Sequence, residues 1–101
     1  MKSEGRLFGK VAVITGAASG QGAVEARLFA QEGAKVVATD LQVELLSSVV
    51  GEINSEFGDV AVGIGHNVAD ENDWIDVVKQ AVEKFGTIDI LINNGVGGHY
   101  H

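Results

Sequence analysis

The sequence predicts an α/β fold in which a parallel sheet has helices packed on its faces. Short runs rich in β-branched residues alternate with longer segments whose apolar residues recur at spacings of three and four. A glycine follows each helical segment, at Gly33, Gly58 and Gly86, where a left-handed residue commonly ends a helix. The connections between these segments are short, as expected for consecutive β-α-β units.

The first three elements are a strand, a helix and a second strand. Lys10–Thr15 is a β-branched run that ends in a glycine cluster, which is typical of a buried strand. Between Gly22 and Glu32 the apolar residues fall on one wide side of a helix. Ala34–Asp40 has the composition of the first run and predicts the second strand.

The remaining four elements repeat this alternation. We predict helices over about 41–57 and 70–85, with Asp70 as the N-cap of the latter, and strands over 60–65 and 88–93. The apolar stripe of the first of these helices is Val43, Leu46, Val49, Val50, Ile53 and Phe57. That of the second is Trp74, Ile75, Val78, Val82 and Phe85.

Length and composition predict one domain over residues 1–101, located in the cytoplasm. The net charge of −7 argues against nucleic acid and against an anionic membrane surface as partners, because both attract basic proteins. There is no cysteine, hence no disulfide framework or thiolate nucleophile. No segment has the roughly 18 apolar residues that a membrane span needs.

A glycine-rich loop, Thr15–Gly22, joins the first strand to the first helix. In this position Gly16 permits a sharp turn, Gly20 lets backbone N–H groups approach a pyrophosphate, and Gly22 permits close packing of the helix. The N-terminus of the helix offers unpaired donors and the positive end of its dipole to phosphate. The loop therefore predicts a dinucleotide-binding, Rossmann-like domain, the alternative being a tight turn without a ligand.

Asp40 ends the second strand, 18 residues after Gly22. A carboxylate about 20 residues beyond the loop accepts hydrogen bonds from the adenosine ribose in such folds, and it would repel a 2′-phosphate. No arginine follows that could receive that phosphate, so NAD is favoured over NADP as the cofactor. A solvated loop carboxylate or a helix N-cap is the other interpretation, and it is compatible with ribose binding.

Four segments in order, "GKVAVITGAASGQG", Asp40, "HNVAD" and "IDILINN", resemble the short-chain dehydrogenase/reductase family. The resemblance extends from about Leu7 to Val96. It implies a cofactor site whose phosphates are lined by Gly16, Ser19, Gly20, Gln21 and Gly22. The adenosine ribose would be flanked by Asp40 and Leu41, and the adenine would lie beside Asn67 and Val68. Along the rest of the cofactor the resemblance places Asn93 and Asn94.

The chain departs from the family pattern at three places. Asn67 stands where the family usually has aspartate, although an amide carbonyl can still accept from the adenine amino group. Gln21 stands where isoleucine or leucine is common. After Asn94 the chain has Gly95 and Val96, which are either two substitutions of the family's alanine and glycine or the result of a missing alanine.

The resemblance also implies a catalytic tyrosine, a lysine four residues later and a serine, all beyond the fourth strand. Tyr100 is the only tyrosine, and no lysine follows it. We therefore assign no catalytic residue, expect a truncated domain, and expect no turnover from this chain alone. Two alternatives stay open: an enzyme completed by a second chain, and a non-catalytic assembly module whose glycine loop is a relic. We assign no metal site, and interpret His66 as a loop residue and His99 and His101 as an uninvolved tail.

For the whole domain the expected sheet has four parallel strands in the order 3-2-1-4, in three layers. The first two helices should cover one face and the third helix the other. The fourth strand then lies at an edge, with Ile90 and Ile92 on one side and Leu91 on the other. Such an apolar edge predicts a homo-oligomer, most simply a dimer in which the fourth strands pair or the bare faces pack.

Overall fold

The structure, a computed structural model, describes residues 5–94, and within them strands and helices alternate along the whole length. The four strands are β1 (Val11–Thr15), β2 (Lys35–Asp40), β3 (Ala61–Gly65) and β4 (Ile90–Ile92). The three helices are α1 (Gly20–Gln31), α2 (Val43–Phe57) and α3 (Glu71–Phe85). Tyr100, His99 and His101 lie outside the described residues.

The strands form one parallel sheet in the order β3-β2-β1-β4, as predicted. In the centre of the sheet Val13 of β1 is in register with Val37 of β2 and with Leu91 of β4. All five residues of β1 are buried, and four of them are apolar, as expected of a strand that is covered on both faces. The strands' carboxyl ends lie along one edge of the sheet, because all four run in the same direction.

The two faces of the sheet are covered unequally. On one face α1 and α2 pack through Ala26, Ala30, Leu46 and Ile53 against a large cluster of buried residues. Among residues 5–94, α3 is the one helix on the other face, and the smaller cluster of buried residues there comprises Val13, Val37, Ile64, Val77 and Ala81. The predicted division of the helices between the faces is confirmed.

The predicted apolar stripe of α3 is wrong in detail. The residues that α3 buries are Val77 and Ala81, whereas Ile75, Val78 and Val82 are 62%, 46% and 44% exposed. Spacings of three and four define two neighbouring stripes on this helix, and the smaller residues allow the helix to approach the sheet closely. The larger residues lie beside the contact, on the side of the molecule that no described element covers.

The helix ends are set by side chains and glycines that the sequence identified. Asp70 caps α3 by accepting a hydrogen bond from the Asn72 N–H at 2.9 Å. Gly33, Gly58 and Gly86 all have positive φ, and Gly86 is left-handed. Gly58 differs from the expectation because its ψ of −175° is extended, so the chain turns directly towards β3.

Within residues 5–94, none of the helices combines the length and the apolar character that crossing a bilayer requires.

Candidate functional site

A cavity of about 530 Å³ opens at the carboxyl ends of the strands. Its walls come from the glycine loop after β1, the end of β2, the segment after β3 and the residue that closely follows β4. The lining residues are Gly16, Ser19, Gln21, Gly22, Asp40, Leu41, Gln42, His66, Val68 and Asn94. In open parallel sheets this is the edge at which ligands bind.

The glycine loop is shaped by contacts that only glycine permits. Gly16 and Gly20 have φ values of 64° and 58°, a backbone conformation that L side chains rarely adopt. At Gly22 a Cβ would lie 2.0 Å from the Gly16 carbonyl oxygen, so the first turn of α1 packs directly on the loop. The loop is also joined to β2, because the Ala17 N–H donates to the Thr39 carbonyl at 3.0 Å.

The N-terminus of α1 is the part of the cavity best suited to an anion. Its first turn reads Gly-Gln-Gly, whereas the first turns of α2 and α3 carry the carboxylates of Glu44, Glu71 and Asp73. Ser19 is the N-cap, and its side chain makes no capping hydrogen bond within the described residues. The positive end of the α1 dipole therefore faces the cavity without a compensating carboxylate in its own first turn.

Asp40 holds the cavity together as well as lining it. Its Oδ2 accepts from the Ala18 N–H and its Oδ1 from the Gln42 N–H, each at 3.0 Å. One carboxylate thus joins the glycine loop to the segment that leads into α2. Each oxygen retains a further lone pair, because an ionised carboxylate offers about four acceptor sites.

The segment after β3 is fixed to the first turns of α3. The Asn67 N–H donates to Asp73 Oδ2 at 2.8 Å, and Asn67 Oδ1 accepts from the Ala69 N–H at 2.9 Å. The indole N–H of Trp74 donates to the Val68 carbonyl at 3.0 Å. Trp74, a member of the predicted apolar stripe, is only partly buried and lies against this segment, outside the buried cluster beneath α3.

Sequence reasoning missed two lining residues, the exposed Gln42 and the residue His66. His66 directly follows β3, as expected of a loop residue, yet it is only 2% exposed. Its Nδ1 lies 2.9 Å from Thr39 Oγ1, and its ring meets that of Trp74 edge-on, with centroids 4.4 Å apart. Burial lowers the pKa of His66 below its usual 6.5, and the nearby Asp73 carboxylate partly opposes this. The signal in the sequence that could have identified His66 as a lining residue is its position at the carboxyl end of a strand.

Beyond β4, two asparagines join this strand to β1. Thr15 Oγ1 donates to Asn93 Oδ1 at 2.8 Å and accepts from the Asn94 N–H at 2.9 Å. The Asn94 side-chain amide donates to Glu25 Oε1 at 2.6 Å and to the Thr15 carbonyl at 3.2 Å. Glu25 also accepts from the Gln21 amide at 3.3 Å, so α1 and the end of β4 share a hydrogen-bond network.

The cavity brings together most of the residues that the sequence predicted for a cofactor site. Eight of them line it: Gly16, Ser19, Gln21, Gly22, Asp40, Leu41, Val68 and Asn94. Gly20, Asn67 and Asn93 do not line it. All three adjoin lining residues in the sequence, and the Asn67 side chain accepts a hydrogen bond within its own turn. Gly95 and Val96, where the sequence departs from the family pattern, lie outside the described residues.

Residues 5–94 contain no group of three or more histidine, aspartate or glutamate side chains that could hold a metal ion.

Comparison with known proteins accounts for this arrangement of loop, strand and cavity. The sequence model described as "short chain dehydrogenase" matches residues 10–100. The chain belongs to the short chain dehydrogenase family. The "Short chain aldehyde dehydrogenase 1" of Euphorbia lathyris is 50% identical over 94 residues, which are 92% of this chain and 32% of that protein.

Two solved structures of family relatives share the fold. A hydroxysteroid dehydrogenase from Escherichia coli is 38% identical with a TM-score of 0.86, and the match covers 93% of this chain and 40% of that one. A 3-ketoacyl-(acyl-carrier-protein) reductase from Brucella melitensis, complexed with NADH, is 45% identical with a TM-score of 0.78. That match covers 84% of this chain and 33% of the reductase chain.

This chain spans about a third of the length of the curated relatives that it matches.

Proposed function

We propose that the cavity binds the adenosine-diphosphate end of NAD. The observation that carries this proposal is the meeting of the glycine loop, the α1 N-terminus and Asp40 around one cavity at the carboxyl edge of a parallel sheet. A relative with 45% identity is complexed with NADH, which supports a nicotinamide dinucleotide as the ligand class.

Each part of the cavity has a proposed role. The phosphates lie against the loop and the first turn of α1, formed by Gly16, Ser19, Gly20, Gln21 and Gly22. Asp40 and Leu41 flank the adenosine ribose, and Asn67 and Val68 border the adenine. Asn93 and Asn94 lie along the cofactor towards its nicotinamide end. The side chain of Asn67 already accepts from Ala69, so we expect its contribution to the adenine to be smaller than that of Val68.

The same geometry favours NAD over NADP. Asp40 is held in place by the Ala18 and Gln42 N–H groups, so its charge cannot easily move away from a 2′-phosphate. Among the described residues that line the cavity, none is a lysine or an arginine that could receive that phosphate.

Titration calorimetry tests this proposal. With only these residues in contact, we expect NAD to bind no more tightly than about 10⁻⁴ M, near −5 kcal/mol, and NADP to bind more weakly. Asp40→Asn keeps the side-chain shape and one acceptor oxygen, and should narrow the difference between the two cofactors. Glu52→Gln, which removes a carboxylate on α2 away from the cavity, should leave the difference in affinity between NAD and NADP unchanged. A preference for NADP would overturn the assignment of Asp40.

The reaction of the longer relatives is also part of the proposal. Family relatives include alcohol and carbonyl oxidoreductases by name, and the nicotinamide group supplies the hydride chemistry in such enzymes. Residues 1–101 contain no tyrosine followed four residues later by lysine. We propose that they form the cofactor-binding part of a dehydrogenase and support no turnover alone. Completion by a second chain, or a relic loop in an assembly module, stays as an alternative.

We further propose that the chain forms a homo-oligomer through the face that carries α3. Leu91 of β4 is 55% exposed on this face, which also carries the exposed stripe of Ile75, Val78 and Val82. Lys79 and Asp76 lie along one flank of that stripe, so an antiparallel second copy would bring opposite charges together. The cytoplasmic location expected from the sequence stays a prediction.

A further inference from the structure

His66 lies where three parts of the cavity wall meet. Its backbone N–H donates to the Asp40 carbonyl at 3.1 Å, and its Nδ1 is 2.9 Å from the Thr39 hydroxyl. Both contacts are to β2, the strand whose last residue lines the cavity. On its other side the ring meets Trp74 edge-on, at an angle of 81° between the two planes.

These contacts fix the wall segment that we assign to the adenine. Val68 lines the cavity, and its carbonyl accepts from the Trp74 indole N–H. Trp74 is in turn packed against the His66 ring. A displacement of that ring would therefore move Trp74, and with it the backbone at Val68.

The surroundings of the ring suit a neutral imidazole. Thr39 is fully buried, and its hydroxyl oxygen can accept from the Nδ1–H of a neutral ring, the tautomer in which Nε2 carries no proton. Nε2 is buried and has no hydrogen-bond partner among the described residues. Protonation would add an N–H at Nε2 that has no acceptor among the described residues, and it would place a charge in a buried site.

We propose that His66 is a positioning residue of the adenine wall, whose neutral ring holds Val68 and Trp74 in the arrangement that binds an adenosine nucleotide. This inference rests on the proposed function, since it concerns the same cavity. It assigns to His66 no contact with the nucleotide, because the side chain is almost entirely buried. It implies that the affinity for NAD weakens as the ring becomes protonated.

The charges around the ring determine the pH at which this occurs. From α3 the Asp73 carboxylate favours the protonated form, but burial disfavours it more strongly, and the pKa of His66 is lowered from 6.5. From β2, Asp40 lines the same cavity, with its oxygens directed to Ala18 and Gln42. Because the unfolded chain takes up the proton first, folding stability is full above pH 6.5 and falls as the pH decreases from there to the folded pKa.

The fluorescence of Trp74, the only tryptophan, provides a test that requires no ligand. In a chain with His99→Asn and His101→Asn, His66 is the only histidine. We expect the Trp74 emission to change in one transition with a midpoint below pH 6.5, since an imidazolium beside an indole alters its emission. His66→Asn places an amide near the position of Nδ1 and should abolish the transition while keeping the bond to Thr39.

Calorimetry with NAD in the same two chains tests the link to binding. In the chain that retains His66, we expect affinity at pH 5.0 to be at least fivefold weaker than at pH 7.5. In the His66→Asn chain the change should be less than twofold, with affinity at pH 7.5 close to that of the parent. Equal pH dependence in both chains, or tighter binding at pH 5.0, would overturn the positioning role and leave the proposed function standing. Absence of NAD binding at pH 7.5 would overturn both.

Discussion

At Gly22 the absence of one atom, a Cβ, determines how closely the glycine loop packs on α1 and so shapes the cavity. This residue has an ordinary helical conformation, so its importance lies in the space that its missing Cβ leaves for the Gly16 carbonyl. The loop and the helix can approach each other only because that space is empty. The approach places the first turn of α1 on the cavity wall.

Gly22→Ala should therefore destabilise the protein by at least about 2 kcal/mol, because a Cβ 2.0 Å from a backbone oxygen forces the loop to move. Gly51→Ala is the matched control. Gly51 lies inside α2 and a Cβ there would meet nothing within 4 Å, so alanine should stabilise by about 0.5–1 kcal/mol. Urea unfolding followed by Trp74 fluorescence measures both changes. Equal effects of the two substitutions would contradict this account of the loop.

For single residues, the sequence predicted their roles in the site better than it predicted their hydrogen-bond partners. The role of the glycines followed from their position between a strand and a helix. The bond from the Ala18 N–H to Asp40 joins residues 22 positions apart, and it depends on how β1 and β2 are placed side by side. The burial of His66 could not be predicted from the sequence either, because it depends on the packing of α3 against β2 and β3.

Among the elements, α3 shows most clearly what a sequence pattern can and cannot specify. Its start at Glu71, its cap and its final glycine follow from local chemistry and were predicted. The face that it buries depends on the path of the helix across the sheet, which local spacing does not determine. Val77 and Ala81 were therefore missed, and three exposed residues were placed in the predicted apolar stripe.

The caps of α1 and α3 give a matched pair of substitutions. Asp70→Ala removes the acceptor for the Asn72 N–H and should cost about 1 kcal/mol of folding stability. Ser19→Ala should cost less than about 0.5 kcal/mol, because the Ser19 side chain makes no capping bond in α1. Thermal unfolding of both variants provides the comparison. A larger loss from Ser19→Ala would mean that its hydroxyl is already engaged without a ligand.

For the whole molecule, the unequal covering of the sheet has the largest consequence. The strand order and the division of the helices between the faces were predictable, because right-handed crossovers leave few alternatives. The extent of the exposed apolar surface was less predictable. It includes Val24 and Leu28 of α1 as well as the stripe on α3.

We expect a concentration-dependent dimer that buries at least about 1,200 Å² in total through the α3 face. Val78→Lys places a charge at the centre of this face and should convert the dimer to a monomer. Val24→Lys changes a valine that is also exposed, on the opposite side of the sheet, and should leave the dimer intact. Sedimentation velocity at micromolar concentrations distinguishes the two outcomes. A folded monomer at high micromolar concentration would exclude this interface.

The most direct test of the central claim is an NMR titration of the ¹⁵N-labelled chain with ADP-ribose. We expect the largest amide shift changes at the cavity, in particular at Ser19, Gly22, Leu41 and Val68. Amides on the distant surface groove between α1 and α2, such as that of Ser55, should not change. Saturable shifts confined to the cavity would establish that it binds the adenosine-diphosphate end of a dinucleotide. Unchanged spectra at millimolar ADP-ribose, or shifts centred on another surface, would contradict the assignment.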